Sequence, residues 1–350
     1  MKHFKSALLL VAATFGISTA GFAGAADITT VVTPLTANVT YSTNATSSPG
    51  RPALTAYVGY LVSISNTGGS AIDYLRFTGT TSVTDAHERA TFNSVEGIST
   101  CQTGPTSVDC TIGPLHAGES FPTFAVFFKA PVKIVAAPAS NNVAFSGITY
   151  YAERTGGPHS VAQNFMASWT AGSVVLGTLN PALIRSAVPS SGGAFFTGDG
   201  GLSVPTSPFT TTAIVPAAST YTTAEISVAP LAPTENCNNF SICYGTQITI
   251  PGTFVPYLRF VLRVDSSNIK HETNIHSVTL LYSADPSIPG SFVPVGDCAS
   301  PITPSGNVGQ PCIAVRKYYK NRSTPGWTPE LDRDFEWTIL NTRNGGYKIN

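Results

Sequence analysis

Apolar and polar residues alternate along much of this chain, whereas helical spacing of apolar residues is almost absent. Four apolar residues in the segment 57–65 share one side of an extended strand: Val58, Tyr60, Val62 and Ile64. The same pattern recurs at Leu258, Phe260, Leu262 and Val264, and in the expected pairing partner of that strand at Val278, Leu280 and Tyr282. Gly, Pro and Asn bound these segments. The pattern predicts an all-β protein of two antiparallel β-sandwich domains.

Residues 1–26 have the composition of a secretory signal peptide. Lys2 and Lys5 precede an apolar run that starts at residue 7, and small residues occupy 23–26. The run is shorter than the roughly 20 residues that a membrane-spanning helix needs. We therefore expect a mature chain without a transmembrane segment. It would be secreted or held at the cell surface, with the periplasm as the alternative location.

The alternation lapses into Pro, Ser and Gly at residues 178–190. This break predicts a first sandwich domain over residues 27–180 and a second over residues 185–350. A further break at residues 283–292 makes residues 290–350 a candidate small C-terminal β subdomain.

Six cysteines fall into three close pairs along the chain: Cys101 and Cys110, Cys237 and Cys243, Cys298 and Cys312. An even number of cysteines in an exported protein predicts disulfides, and we expect local pairing within each close pair. Other connectivities remain open. Each short closed loop would stabilise the fold by roughly 2–3 kcal/mol.

Charged residues make up only 11% of the chain, and the formal net charge is zero. A nucleic-acid partner would require a basic face, which this sequence does not supply. Ser, Thr, Asn and Gly provide most of the polarity instead. The expected partners are a protein, an extracellular polymer or the cell envelope.

An acid occupies every second position of PELDRDFEWTI, residues 329–339: Glu330, Asp332, Asp334 and Glu336. Alternate residues of a strand face the same way, so the apolar residues Leu331, Phe335, Trp337 and Ile339 should form the opposite side. We expect this strand to pair with residues 312–320, whose Arg316 and Lys320 would lie opposite acids. The pattern predicts a half-buried strand whose acidic side faces water.

Two functional interpretations of the acidic row stand beside this one. Calcium takes six to eight oxygen ligands, and Glu330, Asp332 and Asp334 are its candidates. However, side chains two residues apart on a strand are separated by roughly 7 Å, so one ion cannot easily contact the whole row. A pair of glycosidase carboxylates is the other interpretation.

The sequence contains no nucleophile elbow of the type G-x-S-x-G and no glycine-rich phosphate-binding loop. We therefore expect no catalytic residue, no enzymatic activity and no cofactor, with calcium as the one exception considered. Trp327 lies in a Pro-Gly segment and is the candidate for an exposed binding anchor.

Two segments carry a family resemblance: YLVSISNTGGSAIDYLRF and CQTGPTSVDCTIGPLHAGESFPTFAVFFKAP. With the Asn-Thr-Gly turn at 66–68, the pair Cys101 and Cys110, and the turn at 115–119, residues 30–135 resemble the conserved-repeat module of bacterial secreted and surface proteins. That module is an immunoglobulin-like sandwich classed as a domain of unknown function. The resemblance implies an exported, non-catalytic sandwich and assigns no catalytic residue. The chain departs from the usual tandem array because it contains one clear copy.

These observations predict an exported, non-enzymatic protein with a structural, binding or adhesive role in the periplasm or outside the cell. The alternatives are an extracellular hydrolase acting on polysaccharide and a calcium-dependent adhesin.

Overall fold

The computed structural model describes part of the chain, in fourteen ranges: 28–39, 56–84, 89–130, 141–153, 163–176, 184–197, 208–217, 225–235, 239–250, 257–270, 273–299, 310–319, 334–341 and 345–350. These residues form antiparallel β-sheets almost throughout, as the alternation predicts. Their helical structure is a 3-10 turn at Ser266–Asn268. No helix within these ranges is long and apolar enough to cross a membrane.

The N-terminal half contributes a four-stranded and a seven-stranded sheet. Its strands are β1 (Ile28–Pro34), β2 (Asn38–Val39), β3 (Tyr57–Asn66), β4 (Ile72–Val83), β5 (Thr91–Glu96), β6 (Cys101–Thr103), β7 (Ser107–Ile112), β8 (Ser120–Lys129), β9 (Asn141–Glu153), β10 (Gln163–Thr170) and β11 (Val174–Leu176). The four-stranded sheet has the order β1-β3-β8-β5. The seven-stranded sheet has the order β2-β11-β9-β4-β7-β6, and β10 also pairs with β9.

The C-terminal half contributes a six-stranded and a five-stranded sheet. Its strands are β12 (Ile184–Ala187), β13 (Gly193–Phe196), β14 (Phe209–Val215), β15 (Glu225–Glu235), β16 (Ile242–Thr249), β17 (Leu258–Val264), β18 (Leu280–Ser283), β19 (Val293–Pro294), β20 (Cys312–Tyr319), β21 (Asp334–Asn341) and β22 (Gly345–Ile349). The orders are β12-β15-β16-β22-β18-β19 and β13-β14-β17-β21-β20.

The residues that the alternation placed inward are buried in β3, β17 and β18. The expected pairing of β17 with β18, however, is wrong. Strand β17 pairs with β14 and β21, whereas β18 pairs with β22 and β19 in the other sheet. The two strands belong to different sheets that enclose the same core, and a core-facing pattern is the same in either sheet.

Each sandwich encloses an aromatic core. In the N-terminal half, Phe77 stacks on Trp169 with 4.8 Å between ring centroids, and Phe145 meets both rings edge-on. In the C-terminal half, Trp337 is fully buried beside Phe240 and Phe335. Such ring pairs add roughly 0.5–1.5 kcal/mol each beyond the burial of their area.

The C-terminal core extends into the N-terminal half. Three residues of the N-terminal half point away from their own sandwich and belong to the hydrophobic cluster of the other one: Tyr57 of β3, and Ala125 and Phe127 of β8. The Tyr57 ring meets Phe195 of β13 edge-on, at 6.3 Å between centroids. We call this contact the seam. Because of the seam, the four-stranded sheet packs against its own sandwich on one side and, along part of its length, against the C-terminal half on the other.

Two hydrogen bonds, one buried and one partly buried, reinforce the seam. The Tyr57 backbone amide donates to the Ser186 hydroxyl at 2.8 Å, and the Ser190 backbone amide donates to the Glu96 carboxylate at 2.5 Å. Both acceptors lie on the opposite half from their donor. The halves are therefore joined by polar contacts as well as by apolar packing.

Gly59 allows the two halves to approach closely. A Cβ atom at this position would lie 2.8 Å from the Phe127 ring and 3.0 Å from the Ala187 methyl group across the seam. We predict that Gly59→Ala lowers the free energy of unfolding by about 1–3 kcal/mol, because an added methyl group overpacks the contact. Chemical denaturation monitored by tryptophan fluorescence measures this change.

Gly113→Ala is the matched control, since a Cβ atom there would have no neighbour within 4 Å. It should leave the unfolding free energy nearly unchanged. Equal midpoints for the two variants would contradict the close packing of the seam.

Candidate functional site

The described part of the C-terminal acidic row lies on β21. Glu330 and Asp332 are outside the described residues, as is Trp327, and only Asp334 and Glu336 can be placed. Phe335, Trp337 and Ile339 join the hydrophobic core, as predicted. The prediction that the acids face water is wrong for the two described members, because Asp334 is 2% and Glu336 is 3% exposed.

Glu336 is held by two basic side chains from the neighbouring strands of its sheet. The Arg263 guanidinium on β17 donates to one carboxylate oxygen at 2.6 Å, and the Lys317 ammonium on β20 lies 2.8 Å from the other. Arg263 and Lys317 both lie directly opposite Glu336 in the strand register. The carboxylate therefore serves as the centre of a three-strand ion cluster.

Asp334 is engaged by the backbone. Its carboxylate accepts a hydrogen bond from the Ser266 amide at 2.9 Å, and Asp265 accepts one from the Ser267 amide at 3.0 Å. Both acids thus satisfy amides at the start of the 3-10 turn, where backbone N–H groups lack partners within the turn. Among the described residues, no group of three His, Cys, Asp or Glu side chains is placed to hold a metal ion.

The predicted pairing of residues 312–320 with the acidic strand is confirmed as β20 with β21, but the predicted position of Arg316 opposite an acid is wrong. Lys320 lies outside the described residues. A bulge between Ile313 and Val315 shifts the register by one residue. Lys317 therefore lies opposite Glu336, whereas Arg316 lies opposite Trp337. Arg316 forms an ion pair with Asp297 instead, and burial lowers the pKa of its guanidinium.

Two disulfides have the locally paired connectivity expected from the spacing. Cys101 joins Cys110 across β6 and β7, and Cys298 joins Cys312 at the start of β20. Cys243 is also disulfide-bonded, while Cys237 lies outside the described residues. The Cys298–Cys312 disulfide connects the segment after β19 to β20, which is the edge strand of the other sheet of the same sandwich.

Asn66 connects the two turns that carry the family resemblance. Its side-chain amide donates to the carbonyls of Ser70 and His116 at 2.7 and 3.1 Å, and its carbonyl accepts from the Gly68 amide. The residue is almost fully buried. It fastens the turn at 66–68 to the turn at 115–119, so the motif has a structural role.

A shallow cleft of about 590 Å³ lies beside the Cys101–Cys110 disulfide. It is lined by Gly97, Ile98, Ser99, Thr100, Thr111, Gly113 and Phe121. This lining contains hydroxyl and apolar groups but no ionisable side chain. The cleft therefore offers no acid or base for catalysis.

The outward side of the seven-stranded sheet carries exposed aromatic and apolar residues. We call the surface formed by Tyr74 and Arg76 of β4, Asp109 of β7, Tyr150 of β9 and Met166 of β10 the open face. Tyr74 is 43% and Met166 is 70% exposed. Tyr, Met and Arg are the residue types that are enriched where proteins contact partners.

The strand register aligns the open face into a row. Met166 lies opposite Tyr150, Tyr150 opposite Arg76, and Arg76 opposite Thr111. Neighbouring strands are spaced by roughly 4.8 Å, so this row extends about 14 Å across the sheet. All members of the row belong to one face of one sheet.

Arg76 is fixed at the centre of the open face. Its Nε donates to Asp109 Oδ1 at 2.8 Å, a second guanidinium nitrogen pairs with Oδ2, and the guanidinium lies 5.9 Å from the centre of the Tyr150 ring. This hydrogen bond lowers the pKa of Asp109 and raises that of Arg76, so both groups stay charged and neutralise each other. The pair orients the arginine without leaving a net charge.

Sequence reasoning did not identify the open face. The segment DYLRFTGTT contains the signal, since Tyr74 and Arg76 alternate with the buried Leu75 and Phe77. Which residues of β7, β9 and β10 adjoin them depends on strand order, which alternation does not reveal.

Comparison with known proteins does not identify a family. No protein-family model matches the sequence, and no curated protein matches it. Among solved structures, a DUF4466 family protein from Parabacteroides merdae is 7% identical, with 90% of this chain and 98% of that chain covered at a TM-score of 0.23. A likeness at this TM-score carries no argument about this chain.

We predict that Glu336→Ala lowers the free energy of unfolding by about 3 kcal/mol, because it leaves the largely buried Arg263 without its carboxylate. Lys317→Ala removes the more exposed partner of the same carboxylate, and should change stability by less than about 1 kcal/mol. Urea denaturation of both variants measures the difference. Similar losses would mean that the cluster is solvated rather than buried.

We also predict that Asn66→Asp destabilises the protein by about 2 kcal/mol, nearly as much as Asn66→Ala. The aspartate keeps the acceptor for Gly68 but loses the amide donors to Ser70 and His116. Asn93→Ala, which removes a hydrogen bond to its neighbour Ser94, is the control. A thermal midpoint for Asn66→Asp equal to that of the wild type would show that the donors do not hold the turns.

Proposed function

We propose that this chain is an exported, non-enzymatic binding protein that presents the open face to a partner in the periplasm or outside the cell. The observation that carries the proposal is that exposed side chains on this face surround an arginine held by its neighbours. Tyr74 and Met166 are exposed, while Arg76 is fixed by Asp109 and Tyr150. An arginine already held in place loses little conformational entropy on binding.

Location outside the cytoplasm is supported by two independent features. Residues 1–26 have the composition of a signal peptide, and two disulfides join Cys101 to Cys110 and Cys298 to Cys312. Disulfides of this kind persist in oxidising compartments and are rare in the cytosol.

The resemblance of residues 30–135 to the immunoglobulin-like conserved-repeat module supports the same proposal. The turns at 66–68 and 115–119 that carry the resemblance are joined through Asn66. Proteins built from such modules act through their surfaces. Here one face of the module is occupied by the seam, and the open face lies on its other sheet.

The two alternatives have less support. A polysaccharide hydrolase and a calcium-dependent adhesin both require accessible carboxylates in the acidic row, of which Glu330 and Asp332 lie outside the described residues. Asp334 and Glu336 are buried and bound to a backbone amide and to basic side chains. Neither acid is available to an ion or a substrate in this arrangement.

The proposal is tested by measuring how purified protein sediments with intact cells and with cell-envelope fragments of the producing organism. Tyr74→Lys combined with Met166→Lys places two charges on the open face. We expect binding to weaken by about tenfold or more, since truncated or disrupted anchor residues typically change the binding free energy by about 2 kcal/mol.

Ile288→Lys combined with Val293→Lys is the matched control. These residues are exposed to 54% and 56% and lie in the C-terminal half, away from the open face. The control variant should bind as the wild type does. Equal loss in both double variants, or no binding by the wild-type protein, would overturn the proposal.

A further inference from the structure

We infer that the open face binds an uncharged polysaccharide that lies across the strands. The inference rests on the proposed function and names the chemical class of the partner. Its three supports are the electrostatic balance of the face, the arrangement of its rings and the hydroxyl groups beside them.

The first support is the charge of the face. The bidentate pairing of Arg76 with Asp109 uses both carboxylate oxygens and leaves the central row neutral. Met166, Tyr150 and Thr111 complete the row without adding a charge. Phosphate-bearing polymers and acidic polysaccharides require cations that are free to pair with them, and the arginine of this row is already paired.

The second support is the shape of the apolar surface. Tyr74, Tyr150 and Met166 lie on the same face of three neighbouring strands, so they form a band that crosses the strands. Such a band fits an extended ligand with flat apolar faces. A pyranose ring has such faces, made of C–H groups, and aromatic rings provide large, rigid contact area for them.

The third support is the composition of the surroundings. Along the same outward side, the half-buried Thr78 and Ile148 come next on β4 and β9. Beyond them lie exposed hydroxyl side chains: Thr80 of β4, Ser146 of β9, and Ser168 and Thr170 of β10. A hydroxyl group both donates and accepts a hydrogen bond, as do the hydroxyls of a sugar.

The test is native affinity electrophoresis of the full chain in gels that contain one polymer each. The uncharged probes are dextran, a mixed-linkage β-glucan and a mannan, and the acidic probe is alginate. We expect at least one uncharged polymer to retard the wild-type protein, with no comparable retardation by alginate.

Tyr74→Ala and Tyr150→Ala should each weaken that retardation by about tenfold, whereas Tyr150→Phe, which keeps the ring, should retain most of it. Tyr318→Ala is the matched control, because Tyr318 is 42% exposed and lies on β20 in the C-terminal half. Near-UV circular dichroism confirms that each variant is folded. Loss of retardation in the control as well would contradict the assignment to the open face.

Three results would overturn the inference: retardation by alginate equal to that by the uncharged polymers, no retardation by any uncharged polymer, or full retention in both alanine variants. If the wild-type protein still sediments with cells in a manner that depends on the open face, the proposed function stands and only the polymer class is wrong. If sedimentation is lost too, both fail.

Discussion

Burial of Tyr57 and Phe127 against the C-terminal half is the contact on which the architecture depends. Both residues lie on strands of the N-terminal sandwich, yet they pack in the core of the other half. Large aromatic side chains remove much apolar area from water, so separating the halves would expose them at a substantial free-energy cost. Gly59 and the buried hydrogen bond from Tyr57 to Ser186 show that this contact is closely fitted.

The seam also determines which surface is available for binding. The four-stranded sheet is covered by its own sandwich on one side and, along part of its length, by the C-terminal half on the other. The seven-stranded sheet packs on the N-terminal core through one side and bears the exposed Tyr74 and Met166 on the other. The open face is therefore a consequence of the seam, because the second sandwich occupies the opposite side of the module. The ion pair of Arg76 with Asp109 then gives this free surface a defined conformation.

Sequence reasoning predicted the features that local pattern controls. Alternation identified the buried residues of β3 and β17, and cysteine spacing anticipated the pairs Cys101–Cys110 and Cys298–Cys312. It failed where a distant strand decides the outcome. Glu336 is buried because Arg263, 73 residues earlier, lies beside it, and Arg316 lies opposite Trp337 because of a bulge. The open face was missed for the same reason, since strand order brings Tyr150 next to Arg76.

The position of β22 within its sheet has a consequence for how the molecule is made. This strand, Gly345–Ile349, lies between β16 and β18, and Tyr347 and Ile349 are fully buried there. Until these residues join it, β15 and β16 remain separated from β18 and β19, and the sheet exists as two unconnected pieces. Closing contacts over such long sequence separations is slow. A chain that crosses a membrane from its N-terminus would therefore have to bring β22 across before its C-terminal sandwich can close.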